Sequence, residues 1–130
     1  MGYVSKVRKF AEACSSNLTE FPKKLTIDEI SFIREMVNDE LQELEDAKDI
    51  TEQADALVDA IYYLCHCAAK HGMNLDPLFQ IVHQANMKKI VNGKILKRED
   101  GKILKPKGWE DPKDDLEAEI KRQTRFGAFA

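Results

Sequence analysis

Residues 52–71, EQADALVDAIYYLCHCAAKH, decide how this chain folds. Set on a helical wheel, Ala54, Leu57, Val58, Ile61, Leu64, Cys65 and Ala68 make one wide apolar face. The other side is hardly a solvent face, because Ala56, Ala60, Tyr63 and Cys67 flank it. A helix apolar nearly all round belongs in an interior. Yet Glu52, Asp55 and Asp59 run in one line down that second side, at i, i+3 and i+7. Like charges so aligned destabilise even an exposed helix, and burial raises the cost further. Something must neutralise them.

The preceding segment offers the complement. Thr26 or Asp28 can cap a helix running to about Lys48, with Ile30, Ile33, Val37, Leu41 and Leu44 on its apolar stripe. Glu40 and Glu43 lie one turn apart beside that stripe. Lys48-Asp49-Ile50-Thr51 is a tight connector, and Asp49 with Glu52 resembles a capping box for a helix from Glu52 to about His71. So short a link makes the two helices antiparallel neighbours, and their carboxylates can converge. Hard divalent cations want several carboxylate oxygens completed by waters and phosphates. A solvated acidic face is the plainer alternative; the apolar surroundings of Asp55 and Asp59 favour a metal. Cys65-His66-Cys67 is not a zinc pattern.

Working outward, residues 1–14 place Val4, Val7, Phe10, Ala11 and Cys14 at helical spacing, and Ser15 to Pro22 reads as a loop. Gly72 ends the central helix. Asp76-Pro77 opens a fourth, with Pro at the first helical position, continuing to about Val91. Residues 92–108, NGKILKREDGKILKPKG, contain GKILK twice around the turn dipeptide Asp100-Gly101. They read as a lid-like basic hairpin or loop. A polar helix over 112–124 follows, and residues 125–130 are expected to be loosely held. The expected architecture is all-α, a bundle of four to five helices in one domain spanning 1–130, with a short basic hairpin or loop near the C-terminus.

Composition narrows the function. A chain of 130 residues, 43% hydrophobic, fits one folded domain. A net charge of −3 speaks against general nucleic-acid binding. No apolar run reaches a membrane span, the start lacks a signal-peptide core, and three sparse cysteines suit a reducing compartment. A cytoplasmic protein is expected. From Asp28 to Asp59 acids dominate, opposed only by Arg34 and Lys48; from Lys88 to Lys107 there are eight Lys or Arg against Glu99 and Asp100. An acidic pole and a basic segment suit a cation and a phosphate held together, and equally plain charge balance. Tyr62 and Tyr63 suit a core better than a pocket, although one hydroxyl can reach the acids. His66, His71 and His83 read as structural or surface groups. No Ser-His-Asp set, P-loop or GxGxxG is present.

DELQEL (39–44) followed by EQADALVDAIYYL (52–64) resembles the all-α nucleoside triphosphate pyrophosphohydrolases, the MazG-like and phosphoribosyl-ATP pyrophosphohydrolase-like group. Their mark is an ExxE pair on one helix and an ExxD pair on the next. QANMKKI (84–90) is similar to their Asn-Met-x-Lys stretch, and DGKILKPKGWEDP (100–112) to the basic loop that follows. Asp39-Glu40 stands where many members carry Glu-Glu. The second motif has two registers: Glu52 with Asp55, or Asp55 with Asp59 one residue further apart. The resemblance implies a Mg²⁺-dependent hydrolase, with Mn²⁺ a substitute, that splits a nucleoside triphosphate between the α and β phosphates. It implies Glu40, Glu43, Asp55 and Asp59 as metal ligands, with Glu52 close behind, and Glu43 as the nominated base. Asn86, Lys89, Lys102, Lys105 and Trp109 would meet substrate; their plainer roles are helix-end bonding for Asn86, a solvated basic stretch, and a loop anchor for Trp109. A homodimer or homotetramer is implied too. Phosphoribosyl-ATP as substrate, or a non-catalytic helical module keeping an acidic metal site, are the alternatives.

Overall fold

A computed structural model describes residues 2–15 and 17–129. Met1, Ser16 and Ala130, which fall in the expected first helix, first loop and tail, lie outside the described residues. The helices are α1 (Tyr3–Cys14), α2 (Ile27–Asp46), α3 (Ile50–Lys70), α4 (Leu75–Met87) and α5 (Lys113–Phe126). The all-α expectation holds, and among the described residues β-pairing is limited to two isolated bridges.

Local chemistry sets the α2–α3 hairpin. Thr26 caps α2 in a full capping box: its hydroxyl accepts from the Glu29 amide at 3.2 Å, and Glu29 accepts from the Thr26 amide at 2.9 Å. Asp49 caps α3 by accepting from the Glu52 amide at 2.8 Å, so α3 begins at Ile50, two residues before the expected start. The link between the helices is thus only three residues long, and α2 packs along α3. At the far end Gly72 turns with φ +68°, where a Cβ would overlap the Phe21 carbonyl oxygen, so the position demands glycine.

The fourth helix departs from its expected bounds. Asn74, not Asp76, is its cap, accepting from the Asp76 amide at 3.1 Å, and Pro77 sits third rather than first. The helix stops at Met87 because Lys89 and Ile90 donate back to the Asn86 and Met87 carbonyls. Asn92 and Gly93, at φ 52° and 73°, then turn the chain into a Val91–Lys94 bridge. Asp76 is freed to cap another helix. Its carboxylate accepts from the Val4 and Ser5 amides at 3.1 and 3.3 Å and from the Ser5 hydroxyl at 2.9 Å. A Cβ on Gly2 would overlap that carboxyl.

The basic segment is a narrow hairpin: Leu104 donates to Leu96 at 2.8 Å and Arg98 to Lys102 at 2.7 Å, with Gly101 at φ 88°. The tail is docked rather than loose. Helix α5 extends through Phe126, Ala128 is buried and donates to Glu20, and Phe129 packs on the core beneath the Arg8 guanidinium. Buried Gln123 ties α5 to the Asn74 backbone, both donating and accepting at 3.0 Å.

The core itself is small, built of Val4, Val7, Cys65, Ala68 and Ala69 with Met73, Leu75 and Phe129 against it. Helix α3, expected to be buried nearly all round, is packed chiefly by α1 and α2, with Met73, Leu75 and Phe129 against its last turns. Leu57, Val58 and Ile61 keep 50%, 58% and 51% of their surface exposed. Among the described residues no helix is long and apolar enough to cross a membrane.

Candidate metal centre

Glu40 and Glu43 project from one turn of α2, and Asp59 meets them from antiparallel α3. One oxygen from each of the three lies within 4.8 Å of the others. One Glu40 oxygen, Oε2, is buried and has no hydrogen-bond partner among the described residues. Burial, then the adjoining Glu43 carboxyl, then the charges of Asp59 and Asp55, push the Glu40 carboxyl above its ordinary range. A buried acceptor without a donor is costly. A divalent cation satisfies such an oxygen and its two anionic neighbours at once, so the donor set fits a hard metal ion.

Asp55 stands one turn before Asp59, exposed, close enough for its charge to act on Glu40 but outside the three-residue cluster. Glu52 is placed elsewhere. Its carboxylate accepts from the Lys48 amide at 2.7 Å and completes the α3 cap. Of the three acids in the second motif, Asp59 is the one within the cluster.

A cavity of about 280 Å³ adjoins the acids, lined by Phe10, Glu40, Asp59, Tyr62, Tyr63 and His66. Phe10 touches Tyr62 and His66 edge-on, at 5.9 and 6.0 Å between ring centres. From sequence, Phe10 falls on an apolar face and His66 reads as structural or surface, while Tyr62 and Tyr63 suit a core with one hydroxyl able to reach the acids. The signal for two of them was spacing alone: Tyr63 and His66 follow Asp59 by four and seven residues, on one helix face. Burial, with Lys70 nearby, holds the His66 imidazole below its usual pKa.

Of the expected substrate residues, Lys89, Lys105 and Trp109 gather against α4. Trp109 donates its indole N–H to the Ala85 carbonyl at 2.8 Å, and the Lys89 and Lys105 ammoniums lie 4.9 and 5.3 Å from its ring centre. The indole is therefore an anchor clamped to α4. Asn86 lies in the last turn of α4 and Lys102 in the exposed hairpin. Among the described residues no hydrogen bond or ion pair joins this basic group to Glu40, Glu43 or Asp59.

An all-α hairpin presenting clustered carboxylates beside a cavity is suited to hold a cation against the oxygens of a phosphate anhydride. The chain belongs to the phosphoribosyl-ATP pyrophosphohydrolase family, whose match covers residues 7–86 and so takes in α2, α3 and the acid cluster. It is accordingly a hydrolase of pyrophosphate bonds in nucleotides. The family and the acid cluster together suggest a divalent metal. No curated protein matches the sequence.

Proposed function

We propose that this single-domain chain is a cytoplasmic, Mg²⁺-dependent nucleoside triphosphate pyrophosphohydrolase, releasing a nucleoside monophosphate and pyrophosphate by cleavage between the α and β phosphates. The observation that carries this reading is the unpartnered, buried Oε2 of Glu40, a residue whose carboxylate clusters with those of Glu43 and Asp59. Those three residues would hold the ion, Mg²⁺ or in its place Mn²⁺, with Asp55 behind them. When bound, it supplies charge neutralisation on the phosphates and acidifies a water. Glu43, the exposed member, takes the proton of the attacking water on a carboxylate oxygen. Phe10 and Tyr62 wall one side of the cavity and limit bulk water there.

Lys89, Lys102 and Lys105, with Asn86, supply positive charge and hydrogen bonds for phosphate oxygens. Trp109 positions two of those lysines. Trp109 lines a different cavity from Glu40 and Asp59 within one chain, which favours an active unit that is a homodimer or homotetramer with the site near the subunit interface. The uncovered Leu57, Val58 and Ile61 support such assembly. The acidic balance of the chain leaves nucleic acid out of its partners.

Phosphoribosyl-ATP is the second reading, favoured by the family match itself. It carries the same triphosphate chain, so the acid cluster serves either substrate. Incubation of the purified chain with Mg²⁺ and a panel of ribo- and deoxyribonucleoside triphosphates plus phosphoribosyl-ATP, with ³¹P product analysis, separates them. Pyrophosphate from one or more triphosphates supports the first reading. Turnover confined to phosphoribosyl-ATP supports the second.

A further inference from the structure

We propose that the groove between the first half of α2 and the last half of α3 holds the sugar and base of the substrate, with Phe32, Ile33 and Tyr63 determining which base is accepted. This rests on the proposed reaction at the acid cluster. The groove encloses about 480 Å³, within the roughly 300–1,000 Å³ typical of small-molecule sites. Phe32, Ile33, Tyr63, His66 and Cys67 form its walls. Tyr63 and His66 also line the cavity at Glu40 and Asp59, so the two spaces share a wall and form one trough.

The spacing along the helices matches a nucleotide. Residues rise about 1.5 Å each along a helix, so His66 stands about 10 Å beyond Asp59, and Ile33 about 10 Å beyond Glu40 on the antiparallel partner. A sugar and base attached to a phosphate at the acids extend over a comparable reach. The wall chemistry fits as well. Phe32 and Tyr63 are partly exposed aromatic side chains and are not stacked on each other. Flat rings of this kind stack on the faces of bases, with preferences set by how strongly each base stacks. At the far end Asp28 and Lys70, neither in an ion pair among the described residues, offer an acceptor and a donor to a base edge or a sugar hydroxyl. Glu29 and His71 close the end by bonding each other.

The test uses the full chain and two probes, adenosine 5′-monophosphate and inorganic pyrophosphate, followed by calorimetry and by amide NMR. The monophosphate is expected to shift signals of Phe32, Ile33, Tyr63 and Cys67, and pyrophosphate with Mg²⁺ to leave them in place. Ile33→Trp, which fills the groove, should weaken monophosphate binding about tenfold, the scale of one lost base–aromatic contact. It should raise KM for nucleoside triphosphates while kcat stays near wild type. Phe32→Ala, a milder change, should flatten the difference in KM between purine and pyrimidine substrates. Wild-type turnover with unchanged KM and base preference in both variants would overturn the groove assignment alone. So would a halved mass by light scattering without those changes, which would mark the groove as a seat for a second copy. A wild-type chain inert to every nucleotide would overturn the reaction instead.

Discussion

Glu29 shows how one side chain serves two elements. It accepts the Thr26 amide inside the α2 cap and meets the buried His71 ring at the end of α3. The Thr26 backbone bond, then the His71 contact and the Thr26 hydroxyl, lower its pKa from 4.5 to about 2. A carboxylate held below its unfolded value stabilises the fold fully above that value. Its contribution is lost as pH falls from about 4.5 toward 2. Thermal melts in this window should drop with acid in the wild type and change less steeply in Glu29→Gln; parallel profiles would contradict the pairing. Asp76 carries a comparable load at long range. Asp76→Ala removes the acceptor for two α1 amides and should cost about 1–2 kcal/mol in denaturant unfolding, the usual scale for an N-cap.

At the scale of elements, the basic hairpin is the segment most open to change on binding. Residues 91–105 are exposed throughout, and the hairpin is held by isolated bridges. A phosphate chain bound beside these lysines should attract and order it. Hydrogen exchange over residues 92–108 is expected to slow with a non-hydrolysable nucleotide and Mg²⁺. Lys102→Ala with Lys105→Ala should weaken nucleotide binding, more so at low salt. Unchanged exchange together with normal binding would reduce the segment to a connector. The elements differ in how far sequence revealed them. Caps at Thr26 and Asp49 were legible because each acts within three residues. Asn74 and the end of α4 were not, because Asp76 answers to α1, some seventy residues away in sequence, and Asn92 and Gly93 turn the chain out of the helix. Tail docking depends on contacts of Ala128 and Phe129 with Glu20, Asn74 and Arg8, which no local pattern encodes. The convergence of Glu40, Glu43 and Asp59 was legible from helical spacing plus a short link. Glu52 was ambiguous because capping and metal binding ask for the same carboxylate at the same position.

For the whole molecule, the exposed apolar side chains on α3 are the main feature a single chain leaves unresolved. With Leu57, Val58 and Ile61 each about half exposed, the proposed second copy would bury them and give the interior that the helix pattern called for. Light scattering at micromolar concentration should give at least a dimeric mass; a monomer with full activity would contradict assembly at the site. The acid cluster is the proposed metal-dependent centre, and Asp59→Asn tests that role most directly. Turnover of the best panel substrate with Mg²⁺ is measured for wild type and variant, beside a metal-free thermal melt. The account predicts that turnover is lost while the melting temperature stays level or rises, because repulsion with Glu40 and Glu43 is relieved. Wild-type turnover in a folded Asp59→Asn would contradict it.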